Sequence, residues 1–228
     1  MLGCGPLGLD RLFATNQGGL GLLHDRYPGW NVLSQRDHWD EATRQVVLDR
    51  VQNVPPFRHL DHHQRRTLEA ICDRVIPQAH RPPTKRVPIA PWIDRNMANR
   101  VLNGFRFEDM PANDDAWYWG LQGVDETAKE LFGSEFVDLD GAQQDAVLQA
   151  IRVGEPPGSI WQRLPAKRWW IHVALRQICG VYYAHPYAWD EIGFGGPAYP
   201  RGYAALNHGA PEWWEPREVS PEGGEVAS

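Results

Sequence analysis

Residues 182–203 combine aromatic side chains with many Gly and Pro residues. This density of Gly and Pro excludes a helix or a central strand. Rings with polar tips, held in shape by Pro186, Pro197 and Pro200, suit a contact surface, and the Gly195–Gly196 pair lets another backbone come close. The alternative is that the rings fold back as a strap over the chain's own core. We call residues 182–203 the strap.

Tryptophan content extends this prediction to the helix before the strap. The chain has 11 Trp. Trp is costly to place in a core because its indole N–H needs a hydrogen-bond partner there, and it is enriched at interface hot spots. We therefore predict that another protein covers part of this region. The candidate interface residues are Trp169, Trp170, Tyr182, Tyr183, His185, Pro186, Trp189, Phe194, Gly195, Gly196, Pro197, Tyr199, Arg201 and Tyr203.

Composition and length indicate one globular domain. The chain has 228 residues, of which 42% are hydrophobic, and a net charge of −6. An acidic chain lacks the basic face that a generic nucleic-acid binder needs. We expect a loosely ordered segment over residues 1–31, a helical domain with the strap over 32–211, and a flexible tail over 212–228.

Apolar periodicity predicts an all-α fold with no strong strand pattern. Asp61 with Gln64, and Asp140 with Gln143, have capping-box spacing at helix starts. The final helix, about 165–183, is apolar on more than one face, as is typical of a central or partner-contacting helix. The other predicted helices are Trp39–Val51, Asp61–Val75, Pro91–Leu102, Asp114–Phe132 and the one that begins at Asp140.

Targeting signals and cysteine pairs are not apparent in the sequence. No apolar run approaches the ~18 residues that cross a bilayer, and the first residues do not resemble a secretory signal. We therefore expect no membrane insertion. Cys4, Cys72 and Cys179 are widely scattered, which indicates a reducing compartment or one cysteine paired across subunits. Cys179, beside the proposed interface, is the candidate for an intersubunit disulfide.

Two groups of His and acidic residues resemble metal ligands in composition. Both lie at predicted helix starts. In one group, adjacent His62 and His63 point in different directions, which favours a solvated helix start. In the other, Asp37 or Asp40 as a helix cap explains the residues without a metal. The groups are His59, Asp61, His62 and His63, and Asp37, His38, Asp40 and Glu41. Dinucleotide, Walker, GxSxG and HExxH motifs do not occur. We therefore predict no metal, cofactor or catalytic residue in this chain. His185 could titrate near neutrality or serve as a hydrogen-bonding anchor.

Several stretches resemble the gluconate 2-dehydrogenase subunit 3 family. They are Leu68–Pro77, Pro91–Asp94, and the strap residues Tyr182–Pro186, Trp189, Glu191–Phe194 and Gly196–Pro197. The resemblance implies a helical accessory subunit that embraces and stabilises the large subunit of a sugar or polyol dehydrogenase. That partner would be an FAD-dependent glucose-methanol-choline oxidoreductase. FAD, hydride transfer and the catalytic histidine would all belong to it.

The sequence leaves the localisation of the chain and two alternative functions open. Many family members carry a twin-arginine signal, but Arg65–Arg66 lies inside a predicted helix here. We expect a cytoplasmic complex, or a periplasmic one if the chain is exported with its partner. One rival function is a stand-alone enzyme that uses His185 with Asp190 or Glu191, or a metal at His59–His63. Another is a helical binding module for a different protein.

Overall fold

Helices make up the structure, a computed structural model that describes residues 26–101, 104–204 and 209–219. Within these ranges the chain has eight α-helices and no β-strand, which confirms the all-α prediction. They are α1 Glu41–Gln52, α2 His62–Val75, α3 Ile89–Ala98, α4 Asn113–Phe132, α5 Gly141–Val153, α6 Ala166–Trp169, α7 Arg176–Tyr183 and α8 Pro186–Ile192. Short 3-10 helices lie at Val32–His38, Pro83–Lys85, Phe136–Asp138 and Ile160–Gln162.

The chain divides into two compact units. Among the described residues, the larger unit is 49–101 with 104–185, and the smaller unit combines 26–48 with 186–204 and 209–219. The division falls within α1, after Leu48, and the strap is divided between the units at Pro186. Residues 1–25, most of the predicted N-terminal segment, lie outside the described residues, as does Cys4.

Helix boundaries follow the capping signals. Asp61 accepts the backbone N–H of Gln64 at 2.8 Å, and the Gln64 side chain accepts the N–H of Asp61 at 3.2 Å. Asp140 and Gln143 form the same reciprocal pair at the start of α5. Gly133 ends α4 in the left-handed conformation, with φ of 74°. Each end therefore satisfies backbone groups that a helix leaves unpaired.

A carboxylate on α3 fixes the segment that leads into α2. Asp94 is fully buried, and its two oxygens accept backbone N–H groups from Arg58 at 2.7 Å, His59 at 3.1 Å and Leu60 at 2.8 Å. Three donors on one carboxylate compensate for its removal from water. This contact therefore holds the start of α2 against α3.

The core of the larger unit forms where two indole rings meet glycines of α4. A Cβ atom added at Gly120 would overlap the Trp169 ring, and one at Gly123 would lie 2.5 Å from the Trp161 ring. Trp169 is fully buried and meets Trp117 edge-on, with ring centroids 5.8 Å apart. Helix α4 thus carries two glycines at interior positions because only glycine leaves room for these rings.

The predicted helix over 165–183 is not uniform. A π-helical segment, Trp170–Leu175, separates α6 from α7. The sequence between α6 and Cys179 contains neither Gly nor Pro, so nothing local marks the wider turn. Trp170 and Ala174 in this segment are buried, which indicates that tertiary packing, rather than backbone propensity, selects it.

One prediction about the strap is wrong, because α8 lies inside it. Pro186 occupies the first helical position, where its missing N–H and fixed φ are tolerated. The next six residues contain no Gly or Pro. Gly193, with φ of 67°, then ends the helix. From residue 193 to 203 the strap has no helix, as predicted.

Substitution of Gly120 by Ala should destabilise the larger unit, although Ala normally stabilises a helix by about 1 kcal/mol over Gly. The added methyl group would overlap the Trp169 ring, and overpacking of this kind costs about 1–3 kcal/mol. Gly180→Ala is the matched control, because a Cβ at helical Gly180 meets nothing within 4 Å. Chemical denaturation should show opposite signs for the two variants. Equal stabilisation by both would contradict this packing.

Candidate functional site

The smaller unit encloses part of the strap in a compact apolar cluster. Trp189 packs with Val32, Trp39 and Val47, all of them buried. Asp190, the next residue, accepts the backbone N–H of Val32 at 2.7 Å. The Trp189 ring meets Phe194 edge-on, with centroids 5.2 Å apart. Trp189 therefore belongs to the core of this unit, and Asp190 fixes the chain beside it.

The Gly195–Gly196 pair faces indole rings of the same unit. A Cβ at Gly196, where φ is 87°, would lie 2.9 Å from both the Trp39 ring and Val32. A Cβ at Gly195 would lie 2.7 Å from the Trp214 ring. The Cβ positions of both glycines therefore face side chains of the same unit, and the approach of a partner's backbone stays a prediction. Trp214 and Glu212 are buried, although both residues fall in the predicted tail, of which residues 220–228 lie outside the described residues.

Several strap rings remain open to solvent. Phe194 is 37% exposed, Tyr199 66% and Tyr203 63%, and outside the strap Trp213 is 77% exposed. We call Phe194, Tyr199, Tyr203 and Trp213 the open aromatic set. Each of three of them rests on another ring, because Phe194 contacts Trp189, Tyr203 lies 5.5 Å from Trp214, and Trp213 meets His38 at 5.9 Å. The positions of these three rings, Phe194, Tyr203 and Trp213, are thus fixed before any partner binds.

Arg201 lies among these rings. Its guanidinium stacks 4.0 Å above the Trp214 ring, and Nη1 donates to the Gln35 side chain at 2.9 Å. The other two nitrogens, Nε and Nη2, are buried and have no hydrogen-bond partner among the described residues. Burial lowers the pKa of Arg201. A carboxylate from outside the chain would satisfy this group.

The candidate residues in the larger unit divide between core and surface. Trp169, Trp170 and Tyr182 are buried, whereas Tyr183 is half exposed and meets Tyr182 edge-on at 5.1 Å. Pro186, at the start of the smaller unit, is buried as well. The surplus of Trp noted in the sequence is therefore used largely for internal packing. The contribution of the candidate interface set to binding a partner stays a prediction.

His185 is buried at the end of the larger unit. Its Nε2 lies 3.0 Å from the backbone carbonyl of Arg50, and Arg50 Nη1 donates to the carbonyl of Ala184 at 2.5 Å. Burial lowers the pKa of His185 to about 4, helped by the positive charges of Arg50 and Arg81. The ring is therefore neutral at neutral pH and, as a neutral ring, donates Nε2–H to the carbonyl. This geometry fits the anchoring role.

Several of the metal candidates have other partners in the structure. Asp61 caps α2, and Asp40 accepts the N–H of Thr43 at 3.1 Å. His63 lies between two carboxylates, with Nε2 2.7 Å from Asp125 and Nδ1 3.3 Å from Glu135. No group of three or more His, Cys, Asp or Glu residues suited to a metal occurs among the residues that the structure describes.

The two described cysteines are free thiols. Cys72 is buried, and burial raises its pKa strongly. Cys179 is half-buried, and burial raises its pKa as well. A raised pKa disfavours the thiolate that forms disulfides. The intersubunit disulfide at Cys179 stays a prediction.

A cleft in the larger unit was not found from sequence. It has a volume of about 400 Å³ and is lined by residues of α1, α3 and α7 together with Ala184 and His185. Arg50, Trp92 and Arg176 line it, and they are separated by more than forty residues along the chain. No spacing rule joins such residues, so only the fold brings them together.

In the described ranges, no helix combines the length and hydrophobicity of a membrane span.

Replacing His185 by Gln should flatten the pH dependence of stability. In the folded chain the pKa is about 4, against an ordinary 6.5, so the unfolded chain binds this proton first as pH falls. The free energy of unfolding should therefore decrease between about pH 6.5 and pH 4, by an amount on the order of 2 kcal/mol. Glutamine cannot take up the proton but can donate to the Arg50 carbonyl. Denaturation of both proteins across this range measures the difference, and parallel curves would contradict the assigned pKa.

Comparison with known proteins gives one match. The family model described as gluconate 2-dehydrogenase subunit 3 matches residues 62–196, which is more than half of the chain. The match includes most of the larger unit, α8 and the Gly195–Gly196 pair. Searches of the curated proteins and of the solved structures found no match. The chain belongs to the gluconate 2-dehydrogenase subunit 3 family.

Proposed function

We propose that the chain is an accessory subunit that binds and stabilises the large subunit of a sugar or polyol dehydrogenase. The observation that carries this proposal is the family match over residues 62–196, because the name of the family describes a subunit of a larger enzyme. In this proposal the partner is an FAD-dependent glucose-methanol-choline oxidoreductase. FAD and hydride transfer belong to the partner, and the small subunit assists its folding and maturation.

The open aromatic set supports a protein partner. Its rings are large and have few rotatable bonds, and three of the four, Phe194, Tyr203 and Trp213, are already positioned by neighbouring rings, so little conformational entropy is lost on contact. Aromatic residues and Arg are enriched at binding hot spots. Arg201, with two nitrogens that lack partners among the described residues, lies beside Tyr203 and Trp214. We place the partner contact on this part of the smaller unit.

In this proposal, only some of the candidate interface residues predicted from the sequence contact the partner directly. Trp189, Gly195 and Gly196 are buried within the smaller unit, so they support the contact surface from beneath. Tyr199, Arg201 and Tyr203 make the contact in this proposal, together with Phe194 and Trp213. The localisation of the complex, cytoplasmic or periplasmic, follows the partner.

Loss of the exposed rings should weaken the complex without unfolding the small subunit. Tyr199→Ala and Trp213→Ala each remove a ring that contributes little to the chain's own core, and hot-spot truncations cost about 2 kcal/mol or more of association. Co-expression with the large subunit, followed by affinity capture of the small one, measures the complex. Circular dichroism of each variant checks that it remains folded.

Two control variants separate binding from folding. Trp189→Ala, in the buried cluster, should destabilise the small subunit itself by about 3–5 kcal/mol. Tyr118→Ala removes an exposed ring on α4, outside the open aromatic set, and should leave capture unchanged. Full capture by a folded double variant of Tyr199 and Trp213 would place the interface elsewhere. Normal yield and flavin content of the large subunit without this chain would overturn the maturation role.

A further inference from the structure

The cleft of the larger unit has the size and walls of a small-molecule site. Its volume of about 400 Å³ falls in the range of about 300–1,000 Å³ that is typical of ligand pockets. The Trp92 ring, Val181 and Ala184 form apolar walls. The space beside Gly180 is open, because a Cβ added there would meet no atom within 4 Å. A ligand with a flat or apolar body could therefore enter.

The charge of the cleft is positive. Arg50 and Arg176 are the only residues of fixed charge that line it, and the described lining includes no carboxylate. This is unusual in a chain whose net charge is −6. Arg176 is exposed and makes no ion pair with any described residue. Burial lowers the pKa of Arg50, and its guanidinium lies with His185 on the wall of the cleft.

Neutral donors accompany the two guanidinium groups. The indole N–H of Trp92 is buried and has no acceptor among the described residues, a state that costs free energy until an acceptor arrives. The Gln177 side chain accepts the indole N–H of Trp117 through Oε1 at 3.0 Å. Its amide nitrogen is left as a donor on the wall of the cleft. The Asn96 side chain adds a further amide.

The backbone before the cleft is also unusual. The π-helical segment ends at Leu175, directly before Arg176 and Gln177. Such wide turns are rare and occur frequently at functional sites. The segment shifts the register of every residue that follows it in the helix. It therefore helps set which α7 side chains face the cleft.

We propose that this cleft binds a small organic anion, namely a carboxylate or phosphate monoester carried by an aromatic or apolar body. The planar guanidinium groups of Arg50 and Arg176 suit the oxygens of such a group. Trp92 supplies both a surface for the body and a donor for the anion. The site lies in this chain alone, so the inference does not depend on the proposed partner.

Fluorine NMR with 4-fluorobenzoate as the probe tests the site, on the full chain alone and on its complex. Saturable binding is expected to both samples, with much weaker binding of the uncharged 4-fluorobenzamide. Arg176→Gln should weaken benzoate binding about tenfold or more, because hydrogen bonds to charged groups are the strong ones. Trp92→Phe keeps the ring but removes the donor, and should weaken it less.

Arg152→Gln makes the same charge change on α5, outside the cleft, and should leave binding unchanged. Since Arg176 is exposed, its variant should remain folded, and denaturation confirms that. Equal affinity of the wild type and Arg176→Gln, or equal binding of the amide, would overturn the proposal. So would a failure of both 4-fluorobenzoate and 4-fluorophenyl phosphate to bind. Binding to the chain alone but not to the complex would mean that a partner carboxylate fills the cleft, and would also overturn it.

Discussion

The contact between Gly120 and the Trp169 ring determines how the larger unit packs. An indole can lie directly on a helix backbone only where no Cβ intervenes, so α4 gives up helix propensity at this position. Gly123 does the same for Trp161, whose indole N–H then donates to Thr127 at 2.9 Å. The segment 160–170 thus packs against α4 through Trp161 and Trp169. The π-helical segment and the cleft-lining residues of α7 come next along the chain.

The same principle recurs in the smaller unit. Gly196 leaves room for Trp39, and Gly195 leaves room for Trp214. Four glycines, Gly120, Gly123, Gly195 and Gly196, thus each leave room for an indole ring. A Trp ring that packs against a glycine of its own unit is therefore not evidence for a partner, which weakens the functional argument from Trp content. The rings of the open aromatic set are exposed instead, which supports their proposed contact with a partner.

The sequence predicted the features that depend on local chemistry. Asp61 and Asp140 start their helices, and Gly133 ends α4, because capping involves residues a few positions apart. The family was also recognisable, since its strap motif is contiguous. The role of Trp189 could not be predicted in this way, because a tryptophan looks the same in a core and at an interface. The cleft was missed for a related reason, since Arg50, Trp92 and Arg176 meet only after folding.

In our proposal, the chain binds a flavoprotein subunit through the open aromatic set of its smaller unit. Hydrogen–deuterium exchange of the small subunit, with and without its large subunit, tests this claim most directly. We expect added protection in peptides that contain residues 194–204 and 209–219, and little change in α4, which belongs to the larger unit. Protection confined to the larger unit, or no change anywhere, would contradict it.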